Sequence, residues 1–266
     1  MNDAGLALRQ VRFTNKAFWR NPASAFFTFA FPLMFLVIFT ALLGNGKTVV
    51  NRDPLVVIKN ATYYVVAMGA FGVITATYTN VAMSVTFQRD QGILKRVRGT
   101  PLPSWAYLFG RVVHAMLVAA VLVIITMIFG RFVYGATLPT GQALWEFIVT
   151  FVVGSLSFAA LALAITAVIP NADAGPPIVN ASILPLLFLS GVFIPVSNTS
   201  PAWIRAIGAI FPVKHFMAAI QGGFLANIPN SSAAFPFHWS DVLFIALWGI
   251  AGLLLALRFF SWEPRK

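Results

Sequence analysis

The sequence predicts an all-α integral membrane protein with six transmembrane helices. Three observations carry that reading. Of 266 residues, 59% are hydrophobic and only 9% charged, with a mean hydropathy of +0.84, whereas soluble domains carry about 25% charged residues. The apolar residues are gathered into runs of the length that crosses a bilayer, roughly 20 residues. The basic residues stand in short clusters beside those runs, as in chains that orient themselves in a membrane. A net charge of +11 therefore points to a lipid bilayer, with no nucleic-acid partner. The chain has no Cys, which excludes disulfides, thiol catalysis and thiolate-bound metal.

Residues 1–22 begin with a short helix of their own. Arg9, Arg12, Lys16 and Arg20 fall on one side at helical spacing, and Ala4, Ala7, Leu8, Val11 and Phe18 fall opposite. A basic amphipathic helix beside a span lies in the interface with its apolar face down. It serves either as a topology anchor or as a contact for a partner. Asn21-Pro22 turns the chain into the first span, 23–43, which is too long for a cleaved leader and is expected to stay as a signal anchor.

At the end of that span, residues 41–48 read ALLGNGKT and resemble a phosphate-binding loop. Such a loop joins a buried strand to a helix whose first N–H groups hold the phosphates. Here an apolar span precedes it and Asp53-Pro54 breaks any helix that follows. The stretch reads as a polar turn without nucleotide.

The second span covers 61–87 and the third 112–129, with Arg111 able to snorkel at its start. The fourth is 143–169, the fifth 177–196 and the sixth 241–257. With both termini inside, the cytoplasmic side holds Arg9, Arg12, Lys16, Arg20, Arg89, Lys95, Arg96, Arg98, Arg111, Arg258, Arg265 and Lys266. The other side keeps Lys47, Arg52, Lys59, Arg131, Arg205 and Lys214. The bias favours cytoplasmic termini. Residues 197–239 then form an extracytoplasmic segment. Ser200-Pro201 starts one short helix there, Pro212 interrupts, and Gly222-Gly223 ends a second. Both are too short to span and lie at, or dip into, the outer face.

Catalytic motifs do not assemble. His114, His215 and His238 are dispersed, no GxSxG or HExxH occurs, and the seven carboxylates fall at or beyond span ends. An acid in mid-membrane would be needed to relay protons or hold sodium, so an ion-coupled transporter and a membrane-embedded enzyme are the weaker readings. No catalytic residue and no metal site is expected. The informative connection is 88–104. Ile93, Leu94 and Val97 share one face of a short helix, Lys95, Arg96 and Arg98 take much of the rest, and Gly99, Pro101 and Pro103 end and stiffen it. Two readings stay open on residue chemistry alone: a helix shaped for a partner's groove, or a basic loop that sets topology.

This connection resembles the cytoplasmic loop of ABC-2 type permeases, through Arg89, Asp90, Gly92, Leu94, Lys95, Arg96, Thr100, Pro101 and Leu102. Residues 188–220, FLSGVFIPVSNTSPAWIRAIGAIFPVKHFMAAI, are similar to the family's fifth-span ending and the two segments after it. The resemblance covers nearly the whole chain as one transmembrane domain. Gln88 departs from the family's frequent Glu, and Phe211 to His215 replace its commoner Asn-Pro-Leu-Thr-Tyr.

The resemblance implies a multi-pass permease of the bacterial plasma membrane. It would dimerise with a second copy or a paralogue and carry two ATPase subunits beneath it. ATP and magnesium would bind those subunits, with no cofactor on this chain. Arg89, Asp90, Gly92, Ile93, Leu94, Lys95, Arg96, Val97, Arg98, Thr100 and Pro101 would couple the permease to the ATPase. Thr75, Tyr78, Thr79, Asn80, Asn180, Ser182 and Ser190, with Thr77 and Ser84, would line the substrate path. Hydroxyls and amides in spans are equally common as links between helices. Such a path, rich in Phe and free of charge, suits a small amphipathic drug or lipid. Glycolipid or polysaccharide export is the alternative.

Overall fold

A computed structural model describes residues 3–44, 46–52, 55–195, 200–230, 232 and 234–263. Asp53, Pro54, residues 196–199 and the last three residues lie outside it, and with them the expected end of the fifth span. Helix α1 (Asp3–Trp19) is followed by α2 (Pro22–Leu43). The Asn21 side chain accepts a hydrogen bond from Ser24 N at 3.2 Å, and Pro22 occupies the first turn, where its missing N–H costs nothing. Gly44, with φ 73°, ends α2 in a conformation that favours glycine.

Next comes an antiparallel hairpin, β1 (Lys47–Arg52) with β2 (Leu55–Lys59), in the register Lys47↔Lys59. The sequence reading had only a polar turn here. The signal was the β-branched content of TVV and LVVI, which suits a pleated strand, but it lay next to the longer apolar runs. The hairpin also settles the phosphate-loop resemblance. GNGKT leaves a helix and enters a strand, the reverse of the order a phosphate cradle needs, so no helix N-terminus faces it.

The second span is one continuous rod, Asn60–Asp90, built of α3 (Asn60–Ile74), a π turn (Thr75–Thr79) and α4 (Asn80–Asp90). A six-residue helix, α5 (Ile93–Arg98), precedes α6 (Ser104–Tyr134), and α7 (Gln142–Ile165) follows. Helix α8 (Gly175–Leu189) has only 15 residues, about 22 Å at 1.5 Å per residue, short of a bilayer core of about 30 Å. The expected fifth span, 177–196, is thus helical over a shorter length. Ser190 Oγ turns back to Leu187 O at 3.1 Å and Gly191, at φ 86°, breaks the helix. Even so, the segment runs the depth of the bundle. A Cβ on Gly175 would sit 3.5 Å from Thr86, and Gly191 O accepts from Tyr63 Oη at 2.7 Å.

Helices α9 (Ala202–Ile210) and α10 (Pro212–Leu225) meet at 92°. Exposed Trp203 and Ile210 place α9 along the surface, whereas α10 is buried over most of its length between α7, α3 and α11 (Trp239–Phe259). Among the described residues, five helices are long and apolar enough to cross a membrane, and the bent pair is a candidate sixth. The chain is an all-α multi-span membrane protein apart from its hairpin.

The rod Asn60–Asp90 is the axis, with α2, α6, α7 and α10 packed around its upper half. Close approach depends on small residues. A Cβ on Gly72 would fall 2.1 Å from the Leu122 side chain, and one on Gly249 of α11 would fall 2.8 Å from Ser157 Cα on α7. Phe35, Phe39, Phe71 and Phe193 form an aromatic cluster joining α2, α3 and the turn after α8.

Candidate functional site

The bundle has two chemically different ends. The hairpin, the α6–α7 turn and the α10 terminus meet at one: Lys59 Nζ donates to Gly135 O at 3.0 Å, and Asn227 Nδ2 to Thr140 Oγ1 at 2.7 Å. At the other, α1, α5 and the ends of α4 and α7 come together. Arg9, Arg12, Lys16, Arg20, Lys95, Arg96 and Arg98 are all exposed there. The three cations of the sequence-predicted coupling helix therefore lie at the same end as the basic side of α1.

Helix α1 docks on α6 through buried Ala7 and Thr14, two turns apart. Gly110 permits it: a Cβ there would meet the Gln10 side chain at 2.5 Å and its backbone at 3.1 Å. The next connection turns at Gly92, whose φ of 69° favours a residue without Cβ. That turn lays α5 flat beneath α4.

The coupling residues then divide into three groups. Arg89 is 1% exposed and does not face outward. Its guanidinium donates to Thr166 O, at the C-cap of α7, at 2.7 Å and to Ile169 O, in the turn that follows, at 2.5 Å, meeting carbonyls left without helical partners. Asp90 Oδ2 accepts from Ala172 N at 3.3 Å and so helps to fix the same turn. Leu94 is fully buried in this chain's own core and half-buried Val97 packs against that core, while half-buried Ile93 borders the space between α1 and α5. A partner's groove cannot take Leu94 in this arrangement. What α5 presents outward is Lys95, Arg96 and Arg98, followed by exposed Thr100 and Pro101.

Gln88, where the family often has Glu, accepts a hydrogen bond from Tyr107 Oη and so ties α4 to α6. A cavity of about 570 Å³ opens beside it, between α1, α4, α5 and α6.

The expected path residues are only partly brought together. Tyr78 Oη and Ser182 Oγ are 2.7 Å apart and join the rod to α8. Thr75 and Thr77 bond back to Phe71 O and Val73 O at 3.0 and 2.6 Å, and Ser190 to Leu187 O. Thr79 and Asn180 are half-buried, while Asn80 and Ser84 face the cavity at the basic end. Most of these groups thus satisfy helices.

Two arrangements were not foreseen. His215 bridges three helices: its Nδ1 lies 2.5 Å from Asp241 Oδ1 on α11 and its Nε2 3.0 Å from Ala209 O on α9. The second is the cavity wall on α6, with Arg111 and His114. Glu146, placed at a span end by the sequence, is 7% exposed one turn into α7 and accepts from Gln142 Nε2 at 2.9 Å. Among the described residues, no group of His, Asp or Glu could hold a metal ion.

A helical bundle with several membrane-length apolar helices, a basic end and a bent helix pair defines the class of multi-span integral membrane proteins. The family described as "ABC-2 type transporter" matches residues 9–225, and the chain belongs to that family. Two curated relatives, each named "Probable multidrug ABC transporter permease YbhR", come from Escherichia coli strain K12 and Escherichia coli O157:H7. Each is 30% identical over 135 residues, which is 51% of this chain and 36% of the relative. The chain therefore matches little more than a third of the relatives' length.

Proposed function

We propose that this chain is the permease subunit of an ATP-driven exporter of the bacterial plasma membrane and performs no chemistry of its own. Its basic end faces the cytoplasm, and so do both termini. Separate ATPase subunits dock there and bind ATP and magnesium, and a second permease completes a dimer. The substrate is a small amphipathic drug or lipid. Family membership supports the class, and the multidrug description of the two relatives supports the substrate.

The observation that carries the coupling role is the placement of α5. It is pinned by Leu94 inside the bundle, while Lys95, Arg96 and Arg98 are exposed on the same end as the cations of α1. Coupling therefore runs through the basic face, and Leu94 transmits movement inward as a core residue.

The test replaces Lys95, Arg96 and Arg98 together by Gln. The chain should fold as before, while co-purification of the ATPase should fall and become more salt-sensitive, since rim charges set association and its salt dependence. A variant that keeps its ATPase at high salt and transports normally would overturn this assignment. Orientation is tested separately: Ser104→Cys should react with an impermeant maleimide only after permeabilisation, and Lys47→Cys should react in intact cells.

A further inference from the structure

We propose that the cavity at the basic end binds the headgroup of an anionic phospholipid, with its acyl chains leaving along the apolar wall. The proposal rests on the cavity's own residues and not on the exporter reading.

One face of α6 supplies Arg111, His114, Ala115 and Val118, spaced i, i+3, i+4 and i+7, so charge stands at one end and small apolar groups at the other. The guanidinium of Arg111 lies 5.4 Å above the Tyr107 ring, and Tyr107 is itself held by Gln88. Arg111 is thereby positioned, yet its Nε is buried without a hydrogen-bond partner, and so is His114 Nδ1. No Asp or Glu lines the cavity. Two unmet nitrogens and an uncompensated cation select an anionic oxygen acceptor, which a guanidinium binds with directional, charge-assisted hydrogen bonds.

The other walls decide what the anion is attached to. Phe13 and Phe18 of α1 and Val81 of α4 help to make the wall predominantly apolar, and Phe18 closes on His114 at 5.3 Å between ring centroids. At about 570 Å³ the space exceeds a bare phosphate and lies in the range of sites for drug-sized molecules. It opens beneath α1, whose exposed Leu8, Phe13 and Trp19 suit a bilayer interface. A lipid headgroup has both the charge and the apolar attachment that this position demands.

Native mass spectrometry of the purified chain tests the idea. Phosphatidylglycerol and phosphatidylcholine with the same acyl chains are added at equal concentration. The wild type should retain the anionic lipid about tenfold over the zwitterionic one, the scale of one charge-assisted contact. Arg111→Gln should abolish the preference, Arg111→Lys should keep part of it, and exposed Arg98→Gln should leave it intact. Ala17→Trp, which fills the mouth while sparing Arg111, should lower retention of both lipids. An unchanged preference in Arg111→Gln, or equal retention of the two lipids by the wild type, would overturn the proposal. Displacement of the lipid by an equal concentration of free glycerol phosphate would show an anion site that does not read the acyl chains, and would overturn it too. Should Arg111→Gln fail to fold, Ala17→Trp decides, with unchanged retention counting against the site. None of these readings uses ATP, so the exporter assignment stands or falls separately.

Discussion

The first span, Pro22–Leu43, and the second, Asn60–Asp90, are both apolar helices of membrane length, yet they occupy opposite situations. Of the 18 most apolar consecutive residues, 17% are buried in the first and 83% in the second. The first spends its surface on exposed Phe26, Phe27 and Phe31. The second carries Gly72, which admits Leu122 closely, and Tyr78, which bonds Ser182 across helices, while Thr75 and Thr77 satisfy their hydroxyls within the rod. Hydrophobicity selects what enters the bilayer; small and hydroxyl side chains select what lies inside the bundle.

The sharpest way to break that contrast is at Arg89, the lower anchor of the second span. Arg89→Met should cost about 3 kcal/mol, because two charge-assisted bonds are lost and the α7 carbonyls are left bare. Arg20→Met, beside the first span and exposed, should cost almost nothing. Thermal unfolding in detergent compares them, and similar losses would refute the inward role of Arg89. Overpacking comes next. Gly72→Val should cost about 1–3 kcal/mol, since Leu122 cannot recede in a filled interior.

A smaller effect is expected between Tyr78 and Ser182. A double-mutant cycle with Tyr78→Phe and Ser182→Ala should give a coupling of about 0.6 kcal/mol, typical of hydrogen bonds between membrane helices. A coupling near zero would mean that the rod and α8 are held by packing alone. Smallest of all, Phe27→Ala should leave unfolding unchanged, because the residue is 66% exposed on the outside of the bundle.

The same physics explains what could be read from sequence. The long apolar runs located four helices to within four residues at either end, whereas the third, expected at 112–129, extends from Ser104 to Tyr134; the charge clusters at 9–20 and 89–98 marked the end where the loop helix sits. The inward orientation of Leu94 and Arg89 was not legible, because polarity alone does not reveal which way a side chain turns. An arginine can be buried wherever a helix end and the turn after it offer carbonyls, as Thr166 and Ile169 do beyond α7. The short α8 was overestimated since hydropathy runs smoothly through Ser190 and Gly191, where the backbone actually turns. The cavity could not be foreseen at all. It requires α1 and α6 to cross at Gly110, a contact between positions a hundred residues apart.

The π turn at Thr75–Thr79 has a consequence of its own. Asn80 N–H bonds Thr75 O, five residues back, where an α-helix would reach back four. The turn thus holds one residue beyond the regular repeat, and each residue of an α-helix advances the azimuth by about 100°. Everything after it, Arg89 included, is phased by that single insertion. Deleting Ala76 would let the rod relax to regular winding and swing Arg89 away from the α7 carbonyls, although every contacting side chain remained encoded. The orientation of the basic loop is, in that sense, a clock setting kept halfway up the second span.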